Sequence, residues 1–174
     1  MYKLLFKYFI PLLFLVGCTA KIPPLKEENI TALATLLYSL DTTGEYREAK
    51  QLSKYIFLQT KQLAHAFKLT SPPQYHNFLV TIGLREKGLC YHWSDALYSY
   101  LSRQKYSTFT FHLVGANIGN YWTEHNAVVV TVKGMNIGEG ILLDPWRNSG
   151  KLYFSRVKED KKYHWIHRPD RELK

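Results

Sequence analysis

The sequence is poor in cysteine, in acidic residues and in long apolar segments. It has only two cysteines, Cys18 and Cys90, and 14 acidic against 23 basic residues, which gives a formal net charge of +9. It contains no internal repeat and no low-complexity segment, so a repeat array or a compositionally biased chain is excluded. With 46% hydrophobic and 21% charged residues in 174, the composition is that of one ordinary globular domain rather than a disordered chain.

The excess of basic residues does not by itself indicate nucleic-acid binding. Lys3 and Lys7 lie in a segment that we expect to be removed, and most of the other basic residues are scattered along the chain. No recognition helix accompanies them, so we expect no nucleic-acid partner. Anionic lipid or cell-wall polymer would account for the charge equally well, and a solvated surface accounts for it better. The one basic cluster, near the C-terminus, comprises Lys158, Lys161, Lys162, Arg168, Arg171 and Lys174.

The N-terminal segment is typical of an export signal. Residues 1–17 contain two lysines followed by an apolar run that is too short for a stable membrane span. The run ends in LVGC at residues 15–18, which resembles the lipobox of bacterial lipoproteins. The resemblance implies that residues 1–17 are a signal peptide and that the thiol of Cys18 is acylated. A short anchor helix with an incidental cysteine is the alternative.

A lipid at Cys18 has consequences for location and for the second cysteine. Two or three acyl chains would hold the protein on a membrane of the cell envelope, outside the cytoplasm and on the periplasmic side in a Gram-negative cell. Residues 18–28, with prolines and charges, would form a short extended tether. Cys90 then has no partner within the chain for a disulfide. An unpaired cysteine in an oxidising compartment needs either burial or a chemical role.

The periodicity of apolar residues predicts helices first and strands later. Asn29 or Thr31 would cap the first helix, which ends near Leu40, and Ser71 would cap the third. Helices followed by strands indicate an α+β domain with N-terminal helices and the Cys-bearing helix packed on an antiparallel sheet. The other predicted helices cover about 45–68, 73–84 and 90–104, and the predicted strands lie around 106–114, 123–132, 141–144 and 151–157.

Cys90 is predicted to lie at the N-terminus of its helix. Cys90, Trp93 and Leu97 recur at helical spacing on one face, together with Tyr100 and Leu101. Unpaired backbone N–H groups and the positive end of the helix dipole favour an anion at this position, so they would stabilise a thiolate. Because Cys90 shares the buried stripe, its sulfur is expected to point toward the sheet.

His125 and Asp144 lie on strands that are predicted to be neighbours. His125 opens the run EHNAVVVTV, and Asp144 follows the apolar residues of ILLDPW after a plausible hairpin loop. A loop centred between residues 134 and 137 would pair Asp144 with a residue between 124 and 130, close to His125. A thiol, an imidazole and a carboxylate in this order match the geometry of a catalytic triad.

Three motifs, GLCYHWSDAL, EHNAVVV and LLDPWRNSG, resemble the Cys, His and Asp boxes of the transglutaminase-like branch of the papain-like superfamily. The resemblance covers roughly residues 85–150 and implies that residues 29–174 form a transglutaminase-like domain. It implies that Cys90 is the nucleophile, that His125 acts first as base and then as acid, and that Asp144 orients the imidazole.

The activity implied by this resemblance is that of an envelope-anchored, cysteine-dependent amide hydrolase working through an acyl-enzyme. A peptide or protein amide would be the substrate, with the stem peptide of peptidoglycan among the candidates, and neither a cofactor nor a metal is expected. A transglutaminase-type acyltransferase, or a non-catalytic module on the same fold that binds a peptide or glycan, are the alternatives.

Other residues near the motifs are candidates for supporting roles in the site. The backbone N–H of Cys90 would be one oxyanion donor, but the usual Gln shortly before the cysteine is absent, and the more distant Gln74 is a weak candidate for the second donor. Trp122 and Trp146 flank the His and Asp motifs and could line the substrate cleft or pack in the core. We expect Arg147 to brace Asp144 rather than to bind a substrate carboxylate.

A zinc site offers a different interpretation of the same residues. Cys90, His92, His125 and Asp144 are all of types that bind zinc. Their spacing is unusual, and Cys90 and His92 should point in different directions from their helix. Joint coordination by this set is therefore disfavoured.

Overall fold

The computed structural model describes residue 22 and residues 24–172. The predicted signal peptide, Cys18 and most of the tether lie outside the described residues. This part of the chain forms five α-helices and a five-stranded antiparallel sheet, so the predicted α+β class is confirmed. No helix within it is both long enough and apolar enough to cross a membrane. In chain order the elements are α1 (Glu27–Tyr38), α2 (Tyr46–Ala66), α3 (Pro73–Thr81), α4 (Cys90–Ser102), β1 (Phe109–Ala116), β2 (His125–Val132), β3 (Ile141–Asp144), β4 (Tyr153–Arg156), β5 (Ile166–His167) and α5 (Pro169–Glu172).

Two predicted helix caps are wrong. Helix α1 begins at Glu27 after Lys26, so neither Asn29 nor Thr31 caps it, and the helix extends into the predicted tether. Two glutamates in its first turn interact favourably with the positive end of the helix dipole. This interaction stabilises the helix start in place of the expected cap. Helix α3 follows Pro72 rather than Ser71, because a proline with fixed φ already suits a helix start. Strand β5 and helix α5 were not predicted.

The sheet has the strand order β4-β3-β2-β1-β5. Strand β2 pairs with β3 so that Val128 lies opposite Leu143. The next step along this register brings Asp144 opposite Ala127, within the predicted window. His125 then lies diagonally across from Asp144 on the same face, which is within reach of a long side chain.

Each face of the sheet is covered by a different part of the chain. Val128 and Val130 face the helices and pack in a core with Trp93 of α4 and residues of α2. Ala127 and Val129 face the other way, where the C-terminal segment supplies Val157 and Trp165. By strand alternation His125 and Asp144 belong to this second face, so α4 can meet His125 only at the end of strand β2.

Candidate active site

His125 and Asp144 form a buried hydrogen-bonded pair. His125 Nε2 lies 2.7 Å from Asp144 Oδ2, and the two residues are 1% and 0% exposed. Burial alone would lower the pKa of His125, but the hydrogen bond to Asp144 and the nearby acidic groups of Asp144 and Cys90 outweigh it and raise the pKa to about 9. The imidazole is therefore held in its charged form at neutral pH.

Cys90 is the first residue of helix α4, and its side chain contacts residues at the start of strand β2. Its Sγ is 3.8 Å from the backbone oxygen of Glu124, and Asn126 Nδ2 lies 3.8 Å from the same sulfur. The thiol is half-buried and forms no disulfide. Because Nε2 of His125 is bonded to Asp144, Nδ1 is the ring nitrogen left for the thiol, and it forms no hydrogen bond to Cys90 or to any other group in the described part of the chain. Cys90, His125 and Asp144 thus lie together.

The loop before Cys90 is fixed by two histidines. The buried His76 lies with its Nε2 2.9 Å from the Lys87 oxygen, and His92 Nδ1 accepts hydrogen bonds from the N–H groups of Gly88 and Leu89. Gly88 has φ +127°, and a Cβ atom there would overlap the His76 ring. This packing holds the start of α4 in place. Neither the His76 contact nor the need for glycine was predicted.

Arg147 braces Asp144, as expected. Its Nε donates to Asp144 Oδ2 at 2.9 Å and its backbone N–H donates to Asp144 Oδ1 at 3.1 Å. The guanidinium also donates to both oxygens of Asp160, at 3.2 and 2.6 Å, and lies over the ring of Tyr153, 4.0 Å from its centroid. Burial alone would raise the pKa of Asp160, but hydrogen bonds from Arg147 and Trp165 lower it. Arg147 is therefore largely buried between two carboxylates.

Aromatic rings enclose the imidazole of His125. The rings of Trp146, Tyr163 and Trp165 lie 4.9, 4.8 and 5.5 Å from it, centroid to centroid. Trp146 Nε1 is bonded to Asn77 at 3.1 Å, so Trp146 packs beside the catalytic candidates. Trp122 is 88% exposed on the β1–β2 loop. A role for Trp122 and Trp146 in substrate binding remains a prediction.

Asn126 is a site residue that the sequence reasoning missed. It is only 4% exposed, its Nδ2 points at the sulfur, and its Oδ1 accepts a hydrogen bond from Arg171 of α5, which also binds Asp95. Gln74, the weak candidate for an oxyanion donor, is exposed. The only sequence signal for Asn126 was its position directly after His125.

The four-residue zinc site is not supported by the side-chain arrangement. His92 Nδ1 is bonded to the backbone at the start of its own helix, and His125 Nε2 is bonded to Asp144. Cys90, His92, His125 and Asp144 do not bring their ligand atoms together as a set.

Comparison of the chain with protein-family models, curated proteins and solved structures finds no match. The interpretation of the site therefore depends on its own geometry and on the three motifs.

Proposed function

We propose that the protein is an envelope-anchored, cysteine-dependent amide hydrolase with a transglutaminase-like core of the papain-like superfamily. The observation that carries the proposal is the buried 2.7 Å bond between His125 Nε2 and Asp144 Oδ2, which leaves the second ring nitrogen for Cys90. An imidazole held between a carboxylate and a thiol is the arrangement that activates a cysteine nucleophile.

The positions of these groups support the following reaction. The Cys90 thiolate attacks an amide carbonyl, and the resulting oxyanion accepts hydrogen bonds from the Cys90 backbone N–H and from Asn126 Nδ2. His125 gives its proton to the leaving amine, and an acyl-enzyme remains on Cys90. His125 then takes a proton from water, which attacks the thioester and releases the acid. Asp144, held by Arg147, keeps the imidazole oriented.

The thiolate–imidazolium pair can be tested without knowing the substrate. A free thiol with a pKa near 8.5 is only about 0.3% ionised at pH 6, so iodoacetamide should alkylate Cys90 at least ~10-fold faster than a free thiol at that pH. His125→Ala should remove the acceleration, whereas His164→Ala, at an exposed histidine, should keep it. Equal rates in the wild type and in His125→Ala would contradict the proposal.

The fate of the acyl group distinguishes hydrolysis from acyl transfer. We would incubate isolated cell envelope with the wild type or with Cys90→Ala and compare the products by mass spectrometry. Hydrolysis yields new carboxylates and a transferase yields new amides, both only with intact Cys90. Binding without either product would favour the alternative of a peptide- or glycan-binding module.

The proposed membrane anchor has its own test. Labelled palmitate should be incorporated into the wild-type chain and not into Cys18→Ser, because acylation needs the thiol at that position. The Cys18→Ser protein should also fail to sediment with membranes. Incorporation into both chains at the same level would contradict anchoring through Cys18.

A further inference from the structure

A second cluster of metal-ligand side chains lies on the sheet, separate from Cys90, His125 and Asp144. It consists of His112 on β1, His167 on β5 and Glu172 on α5, with one ligand atom of each within 4.8 Å of the others. His112 Nδ1 lies 3.8 Å and His167 Nε2 lies 2.8 Å from Glu172 Oε1. Ligand atoms around a tetrahedral zinc ion, with bonds of about 2.0–2.1 Å, lie roughly 3.4 Å apart. Side-chain shifts of about 1 Å would therefore bring all three ligand atoms within reach of one ion.

Thr131 lies behind the His112 ring. Its Oγ1 is 3.0 Å from His112 Nε2 and 2.7 Å from Thr110 Oγ1. A threonine hydroxyl oxygen can accept a hydrogen bond from Nε2. In the tautomer that carries its proton on Nε2, His112 Nδ1 presents a lone pair.

In that tautomer Nδ1 lies 3.8 Å from Glu172 Oε1, which accepts a hydrogen bond from the Leu113 N–H at 2.7 Å and lies 2.8 Å from His167 Nε2. His112 Nδ1 is buried and has no hydrogen-bond partner in the described part of the chain. The neighbouring cations are engaged elsewhere: Arg168 pairs with Glu124 and Asp170, and Arg171 pairs with Asp95. A metal ion beside Glu172 would give the buried His112 Nδ1 the partner that it lacks.

We propose that His112, His167 and Glu172 bind a divalent transition-metal ion of the zinc class. Two imidazole nitrogens and a carboxylate oxygen are a ligand set that zinc accepts, and three protein ligands leave a fourth position for water. Thr131 supplies the outer hydrogen bond that orients a metal-binding histidine. His167 must present the Nε2 lone pair, so its proton moves to Nδ1 or is released to solvent.

An ion at this position would fasten the C-terminal segment to the sheet. Strand β5 is a two-residue edge strand and α5 has a single turn, so few backbone hydrogen bonds hold them. The residue before Glu172 is Arg171, which bonds to Asn126 beside Cys90. The metal would thus stabilise the segment that holds Asn126 beside the thiol.

The test is a zinc titration of the full-length, metal-free protein in competition with a chromogenic chelator. Wild type and Cys90→Ala should each bind one equivalent, since the proposed site does not use the thiol. His167→Gln and Glu172→Gln should weaken binding by at least ~100-fold, and Thr131→Val by about 10-fold. The exposed His164→Gln is the matched control and should bind like the wild type. Circular dichroism would establish that each variant is folded.

Spectroscopy and thermal unfolding give independent readouts. Cobalt(II) should produce visible d–d bands without a thiolate charge-transfer band, and zinc should raise the Tm of the wild type but not of Glu172→Gln. The proposal would be overturned if the wild type bound no stoichiometric zinc. Zinc binding that was lost in Cys90→Ala but kept in His167→Gln would also overturn it, because the ion would then occupy the catalytic cysteine.

Discussion

Replacing Arg147 with methionine should strongly destabilise the protein. Methionine keeps much of the side-chain volume but leaves two buried carboxylates, Asp144 and Asp160, without their common cation. The Arg147 side chain is 10% exposed, and those of Asp144 and Asp160 are 0% and 2% exposed. Removing one partner of a buried ion pair costs about 3–5 kcal/mol. We expect a loss of about 4 kcal/mol in the free energy of unfolding, measured by urea denaturation.

The matched control is the exposed pair of Arg47 and Glu45. Their side chains are 79% and 73% exposed, so Arg47→Met should cost less than about 1 kcal/mol. A second control is the double variant Arg147→Met/Asp160→Asn. Removing one stranded charge should make it more stable than the sum of the single variants predicts. A loss below 1 kcal/mol for Arg147→Met, equal to that of Arg47→Met, would refute the reasoning.

Three further predictions concern the site itself. Gly88→Ala should lower the free energy of unfolding by about 2 kcal/mol or more, measured by urea denaturation, because the residue has a positive φ and a Cβ would overlap His76. Gly83 also has a positive φ but nothing lies within 4 Å of a Cβ there, so Gly83→Ala should cost about 1 kcal/mol. Similar losses for the two variants would contradict this reasoning. Asn126→Ala should slow acylation of Cys90 by p-nitrophenyl acetate about 100-fold but leave alkylation by iodoacetamide nearly unchanged, since only acylation forms an oxyanion; equal slowing of both would argue against an oxyanion role. The pKa of His125 is about 9 when folded and about 6.5 when unfolded, so its contribution to stability is complete below pH 6.5 and is lost as the pH rises through 9. The difference in unfolding free energy between wild type and His125→Gln should shrink over that range, and a constant difference would count against the raised pKa.

The local periodicity of apolar residues predicted much of the secondary structure. Helix α2 was predicted over about 45–68 and occupies Tyr46–Ala66, and α4 begins at Cys90 as predicted. Both have a clear apolar stripe, and burial of that stripe is what stabilises a helix in a protein. The caps of α1 and α3 were wrong because several polar residues compete at a helix start. Strand β5 was missed because two residues show no periodicity.

The site was predictable where hairpin geometry fixes it. The loop between β2 and β3 sets their register, so the proximity of His125 and Asp144 follows from the sequence. Contacts between distant segments were not predictable, since no local pattern reports them. Asn126 contacts Arg171 across 45 residues, and His76 on α3 contacts Lys87 in the loop before α4.

The sequence by itself determined the order of helices and strands, the helix start at Cys90 and the neighbouring positions of His125 and Asp144, because these depend on local periodicity and hairpin register. Only the tertiary structure decided what surrounds them. Packing of the C-terminal segment on the far face of the sheet buries His125 among aromatic rings and brings Asp160 to Arg147. The same packing gathers His112, His167 and Glu172, whose distance along the chain conceals that they lie together.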